Sequence, residues 1–170
     1  WTCPAEVELT CDAKDNDCDG KTDEDFTFSD LGVAKGISAA CGTGECKNGT
    51  VICSPTPSKK GAEMTCATLV NQKPEVCDYK DNDCNGVTDE NVSYNQWDGT
   101  KLPVISPMDG KQASCDGIGA CGVGQVQCVS LSAATCSTDP NGTAHQDVPE
   151  TCNDIDDDCN GITDDHCDDD

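Results

Sequence analysis

The chain carries one fourteen-residue string three times: Cys11 to Glu24 (CDAKDNDCDGKTDE), Cys77 to Glu90 (CDYKDNDCNGVTDE) and Cys152 to Asp165 (CNDIDDDCNGITDD). Each copy fits C-[DN]-x-x-D-x-D-C-[DN]-G-x-T-D-[DE], an acidic loop with carboxylates on alternate residues, a glycine to turn it and two cysteines to staple it. So many carboxylates on one tight loop repel each other, and without a cation some take up protons. A hard divalent ion removes that conflict. The order Asp, Asp, Asp/Asn, Gly, Asp follows an EF-hand calcium loop through its ninth position. Predicted ligands are Asp15, Asp17, Asp19 and Asp23, then Asp81, Asp83, Asn85 and Asp89, then Asp156, Asp158, Asn160 and Asp164. Position 12, a bidentate Glu in an EF-hand, is Phe26, Val92 and Cys167 here. The last ligand is therefore expected from Glu24, Glu90 and Asp165 at position 10, from an upstream acid or from water. A solvated Asx-turn loop without metal is the competing reading. Three copies with matched Asp, Gly and Thr positions favour about three Ca²⁺ per chain.

Leu, Ile, Val and Phe total 25 of 170 residues and the net charge is −23, a composition close to the disordered class. Sixteen cysteines reverse that expectation and predict a disulfide framework made outside the cytosol. Zinc competes weakly for them, because no C-x-x-C pair occurs and only His145 and His166 could join a mixed site. The three loops hold 17 of the 33 acids, and three bound Ca²⁺ would bring the formal charge to −17. Only ten Lys/Arg are present, which argues against nucleic acid or anionic membrane as partners. No apolar run reaches membrane length and no signal peptide is visible. Beginning at Trp1, the chain reads as a processed protein or an excised piece of a longer one.

A larger repeat lies behind the short one. Cys41, Cys46, Cys53, Cys66, Cys77 and Cys84 recur as Cys115, Cys121, Cys128, Cys136, Cys152 and Cys159, at offsets of 74, 75, 75, 70, 75 and 75. This predicts a calcium loop at 1–24, a cysteine-rich unit at 25–90, a second at 91–167 and an acidic tail at 168–170, arranged as tandem beads. The expected fold is small, disulfide-rich and mostly irregular, with short β-hairpins and little regular secondary structure. G-x-C-x-x-G-x-V-x-C, at Gly44 to Cys53 and Gly119 to Cys128, alternates around Val51 and Val126 and predicts a hairpin in each unit. Further short strands are expected at Phe26 to Phe28 and Leu102 to Ile105, and helical turns near Ala62 to Val70. Spacing favours bridges Cys11–Cys18, Cys77–Cys84 and Cys152–Cys159 across each acidic loop. The four central cysteines of each unit would then pair among themselves, leaving Cys3 and Cys167 to pair together or to link chains.

The string P-E-x-C-[DN]-x-x-D-x-D-C-[DN]-G-x-T-D-[DE], at Pro74 to Glu90 and Pro149 to Asp165, resembles the metal-binding repeat of the MopE type found in cysteine-rich bacterial surface proteins. The G-x-C-x-x-G-x-V-x-C segments are similar to what precedes that repeat. The first copy departs from it, with Val7-Glu8-Leu9-Thr10 before Cys11. The resemblance implies an outer-surface or extracellular protein whose acidic loops hold calcium structurally. It also raises copper, but the Trp-x-His pair that the family's copper site resembles has no counterpart after Trp1 or Trp97.

These features predict a structural role: calcium-loaded, disulfide-stapled beads in a surface appendage, filament or long repetitive surface protein that associates with itself. The alternative is an adhesin or carbohydrate-binding module, with Tyr94, Trp97 and the loop Asp98 to Lys111 as a surface for a glycan or protein; the same aromatics could instead be core. No enzyme is expected, because no G-x-S-x-G, H-E-x-x-H or phosphate-cradling loop occurs and the carboxylates sit at ligand spacing. Sequons stand at Asn48, Asn91 and Asn141 and would accept glycans in a secreted eukaryotic chain.

Overall fold

A computed structural model describes residues 7–55 and 63–166. Cys3, Cys167, Trp1 and the acidic tail lie outside the described residues. Contacts divide the chain into two units, Trp1–Pro74 with Asp81–Gly86, and Glu75–Lys80 with Val87–Asp170. Both are disulfide-rich and largely irregular, as expected, with short strands and no α-helix among the described residues.

The first unit contains a hairpin of β1 (Phe28–Asp30) and β2 (Val33–Lys35), joined by Leu31-Gly32 with φ 48 and 82. Positive φ at both central residues matches the right-handed twist of a two-residue hairpin, which is why Gly is needed there. A three-stranded antiparallel sheet follows, in the order β3 (Ala40–Cys41), β4 (Gly49–Cys53), β5 (Met64–Cys66). The second unit repeats the plan, with β6 (Ser93–Asn95) and β7 (Lys101–Pro103) as hairpin. Its sheet is ordered β10 (Ala133–Cys136), β9 (Val123–Ser130), β8 (Ser114–Asp116). Pro103 is tolerated because the β6–β7 pair is two-stranded and both strands are edges. The G-x-C-x-x-G-x-V-x-C segment is not a hairpin by itself. Its first half is a 3-10 turn, Gly44–Cys46 or Gly119–Cys121, and its second half is the central strand.

Each core is small. Val51 packs with Met64, Cys11, Cys41 and Cys66 in the first unit, and Val126 with Val92, Val104, Tyr94 and Cys115 in the second. Tyr94, 5% exposed, is a core residue whose hydroxyl donates to Asp139 Oδ2 at 2.8 Å, whereas Trp97 is 73% exposed. The two aromatics therefore do not form one surface.

The disulfides correct the expected pairing. Instead of closing across each loop, Cys11 bonds Cys53, Cys84 bonds Cys46, Cys77 bonds Cys128 and Cys159 bonds Cys121. Only Cys41–Cys66 and Cys115–Cys136 join central cysteines to each other. Cys18 and Cys152 are also disulfide-bonded, and no described cysteine is free. The second cysteine of each loop is left-handed, with φ 65, 61 and 60 at Cys18, Cys84 and Cys159. Bridging over sequence separations of 21 to 51 residues removes more unfolded-chain entropy than the short loops expected, about 3–4 kcal/mol each on the chain-entropy estimate.

Candidate metal centre

The first acidic loop shows the arrangement most fully. One carboxylate oxygen each from Glu8, Asp15 and Asp17 lie within 4.8 Å of one another, and so do those from Asp17, Asp19 and Glu24. Asp17 is common to both groups. Backbone hydrogen bonds aim these side chains: Asp15 Oδ2 accepts the Gly20 N–H at 3.0 Å, Asp17 Oδ1 the Asp19 N–H at 3.1 Å and Glu8 Oε1 the Asn16 N–H at 2.8 Å. Gly20, at φ 94, supplies the turn on which this arc depends.

Two oxygens of this cluster are buried with no hydrogen-bond partner, Glu8 Oε2 and Glu24 Oε2. Glu8 is only 4% exposed. A buried carboxylate oxygen without a donor is costly, and several sharing one site are more so. Its own backbone N–H lowers the Glu24 pKa, but burial and the like charges of Asp19 and Asp17 outweigh that and leave it raised. Lys21 donates to Asp19 Oδ2 at 2.7 Å and lowers the Asp19 pKa, a partial neutralisation of the same cluster.

The third loop repeats the scheme. Asp156 accepts the Asn160 and Gly161 N–H groups at 3.1 and 2.9 Å, Asp158 accepts Asn160 Nδ2 at 2.9 Å, and Asn160 Nδ2 also reaches Asp165 at 3.1 Å. Glu150 Oε1 accepts the Asp158 N–H at 2.8 Å while its Oε2 is buried without a partner. In the second loop Asp81 accepts the Asn85 and Gly86 N–H groups at 3.0 Å, and Asp83 accepts Asn85 Nδ2 at 3.0 Å. These residues belong to the first unit; Asp89 and the half-buried Glu90 belong to the second.

The ninth-position aspartates take a different place from the one expected of ligands. Asp23, Asp89 and Asp164 turn their carboxylates to the two amides that follow the first cysteine of each loop. Asp23 accepts from Asp12 and Ala13 at 3.1 and 2.9 Å, Asp89 from Asp78 and Tyr79, and Asp164 from Asn153 and Asp154. The cause is the left-handed residue there, Ala13, Tyr79 or Asp154 at φ 64, 64 and 62, which turns successive N–H groups into an anion-binding nest. Asp23 and Asp89 are fully buried, and burial raises the Asp89 pKa against the pull of the Asp78 and Tyr79 amides.

Residues the motif reading did not name are the upstream glutamates Glu8 and Glu150. Their signal was the P-E-x-C string, shifted by one residue in the first copy. Two glycines also position the loops. At Gly44 (φ 53) an added Cβ would lie 2.3 Å from Asp81 O, and at Gly119 (φ 56) 2.2 Å from Asp156 O. The neighbouring amides bond those same carbonyls, Glu45 N–H to Asp81 O at 3.0 Å and Ala120 N–H to Asp156 O at 2.9 Å. Each 3-10 turn thereby pins the first aspartate of its loop.

Cys11 and Cys53 also lie beside Asp23, and Cys77 and Cys128 beside Asp89. Those sulfurs are disulfides and offer no thiolate. His145 pairs with Asp147 at 2.7 Å and His166 with Asp165 at 2.9 Å, both imidazoles exposed. Asn48, Asn91 and Asn141 are exposed.

Three segments of the sequence, one over each acidic loop, match a family model. All three loops carry the MopE-type motif. Residues 3–24, 67–90 and 138–165 match the family model Cu-binding MopE, described as "Putative metal-binding motif". The first MopE-type copy is matched despite its shifted glutamate. Among curated proteins and solved structures nothing matches the chain. The chain is thus a disulfide-rich protein with three MopE-type metal-binding motifs, and many disulfides fit an extracellular setting. No helix among the described residues is long and apolar enough to cross a membrane.

Proposed function

We propose that the chain is an extracellular calcium-binding structural protein whose three acidic loops each hold one Ca²⁺. The observation that carries this reading is that Glu8 and Glu24, which group with Asp15 and Asp17 and with Asp17 and Asp19 respectively, each bury an oxygen without a partner, Glu8 Oε2 and Glu24 Oε2. A hard cation with oxygen ligands satisfies such a set. Asp156, Asp158, Asn160, Asp165 and Glu150 would hold the ion of the third loop, and Asp81, Asp83 and Asn85 would contribute to that of the second. Copper, which the family name suggests, prefers imidazole and sulfur ligands; the first loop offers neither, since its cysteines are oxidised. The ions would be structural, replacing the core that 25 Leu, Ile, Val and Phe residues cannot build. The arrangement favours no enzymatic reading.

Assembly follows from charge and repetition. Two units of one plan at −23 suit a filament, an appendage or a long repetitive surface chain, with calcium lowering the repulsion between copies. The exposed Trp97 and Met108 favour a second reading, a glycan- or protein-binding module. Native mass spectrometry in calcium is expected to count three ions, and EDTA to raise protease sensitivity within the loops while the sheets persist. No bound ion, or unchanged proteolysis on chelation, overturns the reading.

A further inference from the structure

The two units are copies, and one position that distinguishes them opens a groove. Ala13 and Tyr79 occupy the same left-handed turn, each at φ 64, each with its N–H on the ninth-position aspartate. The disulfides beside them correspond as well, Cys11–Cys53 and Cys77–Cys128. In the second unit the Tyr79 side chain spans from loop to sheet. Its hydroxyl accepts the Cys128 N–H at 3.0 Å and lies 3.4 Å from Gln112 Nε2.

The first unit has only a methyl group at this position. The result is a groove of about 670 Å³ lined by Thr10, Asp12, Ala13, Ile52, Ser54 and Pro55 around the disulfide. Strand register shows what the groove offers. Ser54 N–H donates to Glu63 O at 2.8 Å, so the Cys53 N–H one residue earlier points to the opposite edge of β4. On that edge Val51 N–H reaches Ala39 O at 2.9 Å, and among the described residues no hydrogen bond from Cys53 N–H follows it. The groove thus combines a backbone donor, an apolar floor of disulfide and Ile52, and the Asp12 carboxylate on its rim in a chain of net charge −23.

We propose that this groove receives a tyrosine side chain carried on a lysine- or arginine-rich segment of another protein. The phenol oxygen would accept the Cys53 N–H as Tyr79 accepts that of Cys128, and the ring would lie on the disulfide and Ile52. Phenylalanine lacks the acceptor and tryptophan has only a donor. Asp12 is paired with Lys14 at 2.9 Å, so basic flanks answer the chain's net charge of −23 and the remaining carboxylates of the acidic loop beside the groove. The tyrosine pocket itself uses none of the proposed calcium ligands, whereas the preference for basic flanks would be lowered by calcium in the adjoining loop.

The test uses the full, disulfide-intact ¹⁵N-labelled chain in calcium buffer and three capped tripeptides, Lys-Tyr-Lys, Lys-Phe-Lys and Glu-Tyr-Glu. Lys-Tyr-Lys is expected to move the Cys53 amide resonance saturably, with Lys-Phe-Lys weaker by about 2- to 10-fold, the worth of one hydrogen bond. Glu-Tyr-Glu is expected to bind more weakly still, and added salt to weaken Lys-Tyr-Lys. Ala13→Tyr fills the groove in cis and should abolish the response, whereas Tyr79→Ala should open a second site read at the Cys128 amide. A silent Cys53 resonance, equal binding of the tyrosine and phenylalanine peptides, no preference for basic flanks, or an Ala13→Tyr variant that binds as before overturns the proposal.

Discussion

Replacing Glu8 by Gln removes one charge from the first loop while keeping an oxygen to accept the Asn16 N–H, so its effect on stability should change sign with calcium. Without an ion, Glu8 stands with an oxygen within 4.8 Å of Asp15 and Asp17. At the permittivity of water each such pair repels by about 0.9 kcal/mol, so the substitution relieves about 1.7 kcal/mol. With an ion at a typical distance of about 2.4 Å, the same carboxylate gains about 3.5 kcal/mol on that scale. The repulsion is common to the empty and the loaded loop, so calcium binding at that site should weaken by the full amount, about 3.5 kcal/mol or roughly 400-fold, while the loaded loop loses only about 1.8 kcal/mol of stability. Calorimetric titration and thermal melts at low ionic strength read both signs: in EDTA the Glu8→Gln variant should melt several degrees higher than the parent, and in calcium lower or level. A variant that melts lower in EDTA, or that binds three ions with unchanged affinity, would show that Glu8 is packing rather than a ligand.

The ninth and tenth positions should separate in the same assays. Asp23→Ala, which strips the Asp12 and Ala13 amides of their acceptor, is expected to cost about 1–3 kcal/mol with or without calcium, while native mass spectrometry still counts three ions; loss of an ion would return Asp23 to the ligand set. Gly119→Ala places a Cβ 2.2 Å from Asp156 O and should cost the third-loop ion alone, read as two ions instead of three. Alkaline denaturation tests the buried pair Tyr94–Asp139: burial, then the hydrogen bond and charge of Asp139, raise the Tyr94 pKa. The folded state thus keeps a proton that the unfolded state releases near pH 10, so stability is intact below about pH 10 and falls above it by up to about 1.4 kcal/mol per pH unit. Tyr94→Phe should be less stable at neutral pH and lack that slope.

The sequence revealed what depends on neighbours along the chain. Alternate carboxylates before a turning glycine made Asp15, Asp17, Asp19 and Glu24 readable as neighbours, and the structure groups Asp17 with Asp19 and Glu24 and, separately, with Asp15 and Glu8. Alternation around Val51 and Val126 pointed to a strand in each unit but not to their burial, at 1% and 0% exposure, in the two cores. What escaped depends on direction rather than spacing. Cys11 and Cys18 have six residues between them, which made a bridge across the loop plausible, yet Cys11 bonds Cys53 across 42 residues instead. Tyr94 and Trp97 stand three residues apart, but one lies in β6 facing the core and the other in the following turn.

The departure at position 12 has a physical explanation in the fate of Asp23. An EF-hand loop is held shut by the two helices that flank it, which leaves every acid free for the ion. Among the described residues no α-helix flanks these loops, and the ninth-position aspartate closes each one from within by gathering the two amides after the first cysteine. That carboxylate is then spent on the backbone, and on the proposed reading an ion would need a replacement. The acid at position 10, where Glu24 carries a partnerless oxygen, would supply one, and Glu8 and Glu150, which each carry another, would supply a second from before the loop. A glutamate at position 12 would lie beyond the closed loop, where Phe26 instead packs against the first core.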